Sequence, residues 1–266
     1  MLRSLKLFLV ECQLVIEVKS LSVVWFLASI SGSILMIIFW TGVTSANGGS
    51  ISGWNTGSFA TYYLLVALAG SLFIAHIEEN VSFQDIQRGE LSMYLLKPFP
   101  YFRFKLLIEL PWRFMQGAFA IISMILVFLL VPHLIQITLS PVLLPMAILL
   151  VFSAFLLSFT FKMCLGLLAF WFTEINSLLQ LTEIILTLCA GFIVPLVFLP
   201  NYLQTLFNIL PFSYMVYYPI LALLGKLNPD QEIRVFGIQM LWTFLFYLLY
   251  KFLWRKGRLK FTAVGH

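Results

Sequence analysis

An all-α polytopic membrane fold of six transmembrane helices follows from three observations on this 266-residue chain. Hydrophobic residues make up 61% of it and charged residues only 10%, whereas a soluble domain carries about 25% charged residues. Mean hydropathy is +1.00, so too little polar surface exists to cover a water-soluble particle, and lipid must serve as the solvent. Finally, apolar runs long enough to span a bilayer recur along the whole chain, and the basic residues gather between or beyond them. No stretch is polar enough for a separate soluble domain, so residues 1–266 form a single transmembrane domain.

Residues 1–20 begin as an interfacial helix. At 100° per residue, Arg3, Lys6, Gln13 and Glu17 fall within one quadrant, with Leu5, Phe8, Leu9, Val15 and Ile16 opposite. Glu11 and Glu17 argue against a cleaved signal peptide. The first span covers about 21–42 and has no charge. Residues 43–58, rich in Gly, Ser, Asn and Thr, read as a short uncharged loop with Trp54 as an interface anchor. The second span covers about 59–77.

Residues 78–111 read as a cytoplasmic loop, the densest charge before the C-terminus, in which 82–97 forms a short helix stopped by Pro98 and Pro100. The third span covers about 112–131, and Pro132, His133 and Pro141 bracket a turn. The apolar run 142–172 is the fourth span; it exceeds the bilayer thickness and must tilt, project or break, with Gly166 as the expected break. Thr173 to Ser177 make the next turn, and the fifth span covers about 178–199. Residues 200–236 carry Pro200, Pro211, Pro219 and Pro229 while staying apolar, which predicts an outer re-entrant segment before the sixth span at about 237–254.

Of the 16 lysines and arginines, all but Lys226 and Arg234 lie at the N-terminus, between residues 78 and 113, at the inner end of the fourth span or at the C-terminal end. That bias predicts both termini in the cytoplasm. It also explains the net charge of +5 without nucleic acid, which is not expected as a partner.

Catalytic and metal sites are not expected. No G-x-x-x-x-G-K-[ST] motif occurs, so any ATP must bind another chain. His76, His133 and His266 are dispersed, and Cys12, Cys164 and Cys189 are far apart in apolar runs, as small packing residues. The pair Glu78-Glu79 is reminiscent of intramembrane glutamate proteases, but Phe83 stands where an arginine is required. Charges within or near spans are costly and often functional: Lys162 snorkels to the inner interface, Glu174 sits in a turn, and Glu183 lies inside the fifth span as a pathway or interface residue or with access to water.

The segment Asp85-Ile86-Gln87-Arg88-Gly89-Glu90-Leu91-Ser92-Met93-Tyr94-Leu95-Leu96-Lys97-Pro98 resembles the first cytoplasmic loop of type-2 ABC exporter permeases, whose pattern is an acidic or polar residue, Ile, a basic-Gly pair, Leu, then Leu-Leu-x-Pro. Leu168 to Glu174, with Trp171 and Glu174, is similar to that family's Phe-Trp-x-x-Glu turn. Leu199-Pro200, Leu210-Pro211-Phe212, Tyr217-Tyr218-Pro219 and Gly225 are similar to its outer re-entrant segment. Within the family the chain is similar to an uncharacterised export branch, some members of which are linked to viologen export. Phe172 departs from the pattern, being bulkier than expected.

The resemblance implies a permease subunit of the bacterial plasma (inner) membrane, paired with an identical or related permease. Two ABC ATPase subunits would bind ATP and Mg, and the permease itself would bind no cofactor. It further implies that Asp85, Ile86, Arg88, Gly89, Glu90, Leu91, Leu95, Leu96, Lys97 and Pro98 form an ATPase-coupling helix. A self-contained secondary transporter, coupled to protons through Glu183 and Lys162, is the alternative, although inverted repeats are not seen.

Overall fold

The computed structural model describes residues 2–17, 19–138 and 140–261. His266 lies outside the described residues, as do the side chains of Arg3, Lys19 and His133. Helices dominate: α1 (Leu2–Glu17), α2 (Lys19–Ala46), α3 (Thr56–Leu72), α4 (Leu91–Leu95), α5 (Tyr101–Leu130), α6 (Leu144–Leu167), α7 (Asn176–Cys189), α8 (Asn201–Ile209), α9 (Phe212–Met215), α10 (Tyr217–Leu223) and α11 (Pro229–Gly257). Four helical stretches are long and apolar enough to cross a membrane: Phe26–Ala46, Tyr101–Leu130, Leu144–Phe170 and Pro229–Gly257. The chain is therefore a multi-pass membrane protein. Helices α3 and α7 are apolar but short, with 17 and 14 residues, and rise only about 26 and 21 Å at 1.5 Å per residue.

Several boundaries differ from the sequence reading, each for a local reason. The 43–58 segment is not a plain loop: α2 runs on to Ala46, and strands β1 (Ser50–Ile51) and β2 (Trp54–Asn55) form a small antiparallel hairpin. Gly48, Gly49 and Gly53 supply the positive φ angles around it, and Asn55 caps α3 by accepting from the Ser58 amide at 2.8 Å. Trp54 is no interface anchor. It is buried beside Phe59 and Phe198, with the Lys226 ammonium 3.3 Å from its ring centroid.

The expected third span starts eleven residues early, because Tyr101–Pro111 is already helix and Pro111 is accommodated inside α5. The expected helix over 82–97 is two pieces, a π-helical segment Asn80–Gln87 and α4, separated at Gly89 with φ +80°. Gly166 stands one residue before α6 ends at Leu167 and gives way to a 3-10 turn over Leu168–Phe170, and its missing side chain also admits the π segment: a Cβ there would lie 2.7 Å from Val81 Cβ and 3.0 Å from the Glu78 carbonyl oxygen. Helix α7 ends at Cys189, short of the expected 178–199 span, where Gly191 turns with φ +88° and its carbonyl and that of Ile193 accept from the Tyr62 and Tyr63 hydroxyls at 2.7 and 2.5 Å. The proline-rich stretch holds α8, then α9 and α10, bent by 74°, and the last span is already helical from Pro229, capped by Asn228 and Gln231.

Two apolar cores result. One fills the end of the bundle near the hairpin, joining α3, α6, α9, α10 and α11 around Tyr62, Tyr63 and Leu150. The other lies under the 73–100 segment and includes Phe159, Met163 and Tyr250. This second end gathers the π segment, the 168–174 turn and the C-terminal part of α11: Tyr101 stacks on Trp254 at 4.5 Å, and Gln87 donates to the Thr173 carbonyl at 2.8 Å. Helix α1 packs on α5.

A Gly166→Ala variant is expected to lose about 1–3 kcal/mol by overpacking against Val81, seen as a lower melting temperature in detergent. Gly237→Ala, inside α11 with open space around it, is expected to raise that temperature slightly, by about 0.5–1 kcal/mol of helix preference.

Candidate functional site

The chemistry-bearing side chains cluster at the end that holds the 73–100 segment. There α3 stops at Leu72 and the chain turns before the π segment, leaving backbone groups that lipid cannot satisfy. Side chains from two other helices supply the partners. Arg113 of α5 donates to the Ser71 and Ile74 carbonyls at 3.3 and 3.0 Å, a guanidinium on a helix C-terminus. Glu109, paired with Arg113 at 2.9 Å, accepts from the His76 amide at 2.9 Å. Ser158 of α6 accepts from the Ala75 amide at 3.0 Å.

One turn further along, the π segment is fastened to the start of α5. Asp85 is fully buried, pairs with Lys105 at 2.6 Å and accepts from the Tyr101 hydroxyl. Lys105 also donates to the Asn80 side chain. Burial pushes the Asp85 carboxyl up, against the opposing pull of Lys105. Asp85 therefore holds the loop in place and does not face outward. Ile86 and Leu91 are buried with it, in the second core.

The outward half of the expected coupling set is different. Arg88, Leu95, Leu96, Lys97 and Pro98 are exposed, with Leu96 87% accessible, while Glu90 is partly buried and Gly89 is buried at the kink. Met93 joins Leu95 and Leu96 as an exposed apolar side chain. Across the Gln87–Thr173 hydrogen bond, Trp171, Phe172 and Glu174 are exposed on the adjoining turn. An exposed apolar patch of this kind on a charged segment suits a partner.

Lys162 does not snorkel. It is buried in α6 and pairs with Glu78 at 2.6 Å and with Glu183 of α7 at 2.8 Å. Burial pushes the Glu78 carboxyl up, and Lys162 pulls the other way. Glu183 keeps a 48% exposed side chain. It belongs to a stripe, Asn176, Gln180, Glu183 and Thr187, that runs down one face of α7 at spacings of four, three and four residues. Three of these four residues are exposed and Thr187 is intermediate.

Sequence pattern does not single out His76, Glu109, Arg113, Lys105, Asn80 and Tyr101 as site residues. Lys105, Glu109 and Arg113 carry a signal as charges beside an apolar run, but they read as loop because hydropathy puts the start of α5 too late; His76, Asn80 and Tyr101 carry no such signal. Among the described residues no group of three or more His, Cys, Asp or Glu could hold a metal.

A family model described as ABC-2 family transporter protein matches residues 12–265 of the chain. No curated protein matches it.

Lys162→Met leaves Glu78 buried without its cation and is expected to cost about 3–5 kcal/mol; adding Glu78→Gln should return part of the loss, measured as melting temperature in detergent.

Proposed function

The chain belongs to the ABC-2 transporter family, and from that premise we propose that it is an exporter permease whose first loop receives the push of separate ATPase subunits. The observation that carries this reading is the exposed apolar pair Leu95 and Leu96, with Met93, on a short helix anchored to the bundle. Buried Asp85, Ile86 and Leu91 tie the loop to α5 and the second core, so force applied to Leu95 and Leu96 reaches the spans instead of bending a slack loop. Exposed Arg88 and Lys97 flank the patch and favour an acidic rim on the partner.

In this reading two ATPase subunits bind ATP and Mg and serve two permease subunits, identical or paralogous. The complex resides in the bacterial plasma (inner) membrane with both permease termini in the cytoplasm. The positive-inside distribution supports that orientation, as does the packing of the C-terminal part of α11 beside the loop. The polar stripe on α7 supports a second permease subunit. A half-exposed carboxylate within an apolar helix cannot face acyl chains, and α7 packs only sparsely on the rest of the described chain. The stripe is assigned to the substrate pathway between two subunits.

Leu95→Asp with Leu96→Asp should lower co-purification with the ABC ATPase subunit at least about tenfold and leave the melting temperature unaltered. Gly89→Pro, at a positive-φ kink, should uncouple ATP hydrolysis from transport. If the purified chain alone moves substrate across vesicles without ATP, the protein is a secondary transporter and the reading fails.

A further inference from the structure

At the end of the molecule remote from the charge clusters, a groove of about 400 Å³ opens between α8, α9, α10 and the first turns of α11. Helix α8 has no buried residue, and Tyr202, Leu206 and Ile209 form an exposed stripe at spacings of four and three. A short helix with such a face lies at a membrane interface, which puts the groove at headgroup depth.

The polar lining of the groove is one-sided in its chemistry. The Asn208 side-chain oxygen already accepts from the Tyr218 hydroxyl at 2.7 Å, and the Asn208 carbonyl accepts from the Tyr214 hydroxyl at 2.9 Å. The Gln231 side-chain oxygen already accepts from the Asn228 amide at 3.0 Å. Both amide groups are thus fixed with their oxygens spent and their NH2 donors unengaged. Tyr214 and Tyr218 stack at 4.8 Å and hold this arrangement rigid. Arg234 completes the set as an exposed guanidinium that makes no ion pair among the described residues. No carboxylate lines the groove; Asp230 lies one turn back without pairing to Arg234, and Glu232 is buried elsewhere on α11. Ile209 and Ile238 line it with apolar surface.

We propose that this groove binds the phosphate headgroup of an anionic bilayer lipid. Arg234 faces the phosphate with Asn208 and Gln231 as further donors, and the apolar wall takes the first part of the acyl chains. A zwitterionic headgroup carries the same phosphate but adds a cation that Arg234 repels and the groove has no carboxylate to receive, and free phosphate leaves the apolar wall unused. The site is independent of the ATPase-facing loop and holds whether or not the loop acts as proposed above.

The test is native mass spectrometry of the full chain in neutral detergent with added phosphatidylglycerol, phosphatidylcholine or inorganic phosphate. Phosphatidylglycerol should be retained about tenfold better than phosphatidylcholine, and equimolar inorganic phosphate should not displace it. Arg234→Gln should abolish the preference. Lys226→Gln, which removes a cation at the same end held over Trp54, should keep it. Equal retention of the two lipids, displacement by inorganic phosphate, an unchanged preference in Arg234→Gln or an equal loss in Lys226→Gln would each overturn the proposal.

Discussion

Lys162 stands where three parts of the chain meet. It rises from α6, faces Glu78 at the entrance to the π segment and reaches Glu183 on α7. An ammonium in this position is tolerable only with both carboxylates in place, because the surroundings offer little water. Glu78 is correspondingly tolerable only with Lys162, since its second oxygen finds no partner. The three charges therefore fix one another. They bring α6, the segment after α3 and α7 to a common point that apolar packing alone would leave free to slide.

The same end of the molecule also solves a backbone problem. Helix α3 is too short to cross the hydrocarbon core by itself, and it gives way to a turn and a π segment while still covered by protein. Four of the freed groups are met by side chains: Arg113 on the Ser71 and Ile74 carbonyls, Glu109 on the His76 amide, Ser158 on the Ala75 amide. These residues come from α5 and α6, so the end of the short α3 is completed by its neighbours. At the far end Tyr62 and Tyr63 do the same for the truncated α7, taking up the carbonyls of Gly191 and Ile193. Irregular backbone at membrane depth is permitted here because it is enclosed and hydrogen-bonded.

Much of this was legible in sequence, and the rest was not for definite reasons. Hydropathy locates the long apolar helices because lipid imposes one requirement on every residue of a span. It misplaces the start of α5, since Arg103, Lys105, Glu109 and Arg113 look like loop residues until their partners are known; Lys105 and Arg113 are neutralised by Asp85 and Glu109 and are buried. Gly166 looks like a break because glycine weakens a helix, and α6 ends one residue beyond it; its close approach to Val81 has no such signal. The proposed loop residues were selected by pattern, which does not separate the faces of a segment. Only the fold shows Asp85 and Leu91 turned inward and Leu95 and Leu96 turned outward. Lys162 and Glu183 stood out singly, but their meeting with Glu78 spans 84 and 21 positions of sequence and has no local signature.

Rigidity and looseness are divided unequally between the elements around Lys162. The π segment is bound to α5 by Asp85 and Lys105 and to α6 by the Gly166–Val81 contact, and it continues through Gln87 to the 168–174 turn. That turn leads directly into α7, which otherwise packs sparsely. Helix α7 is thus held at two points, through Thr173 just before its start and through Lys162 at Glu183, about two turns into the helix. A single attachment would let α7 swivel, while two attachments fix its orientation about its own axis. Under the coupling proposed above, a displacement of the loop would therefore carry the Asn176, Gln180, Glu183 and Thr187 stripe with it, and the ion pairs at Lys162 would give a direction to a helix whose apolar surface gives it none.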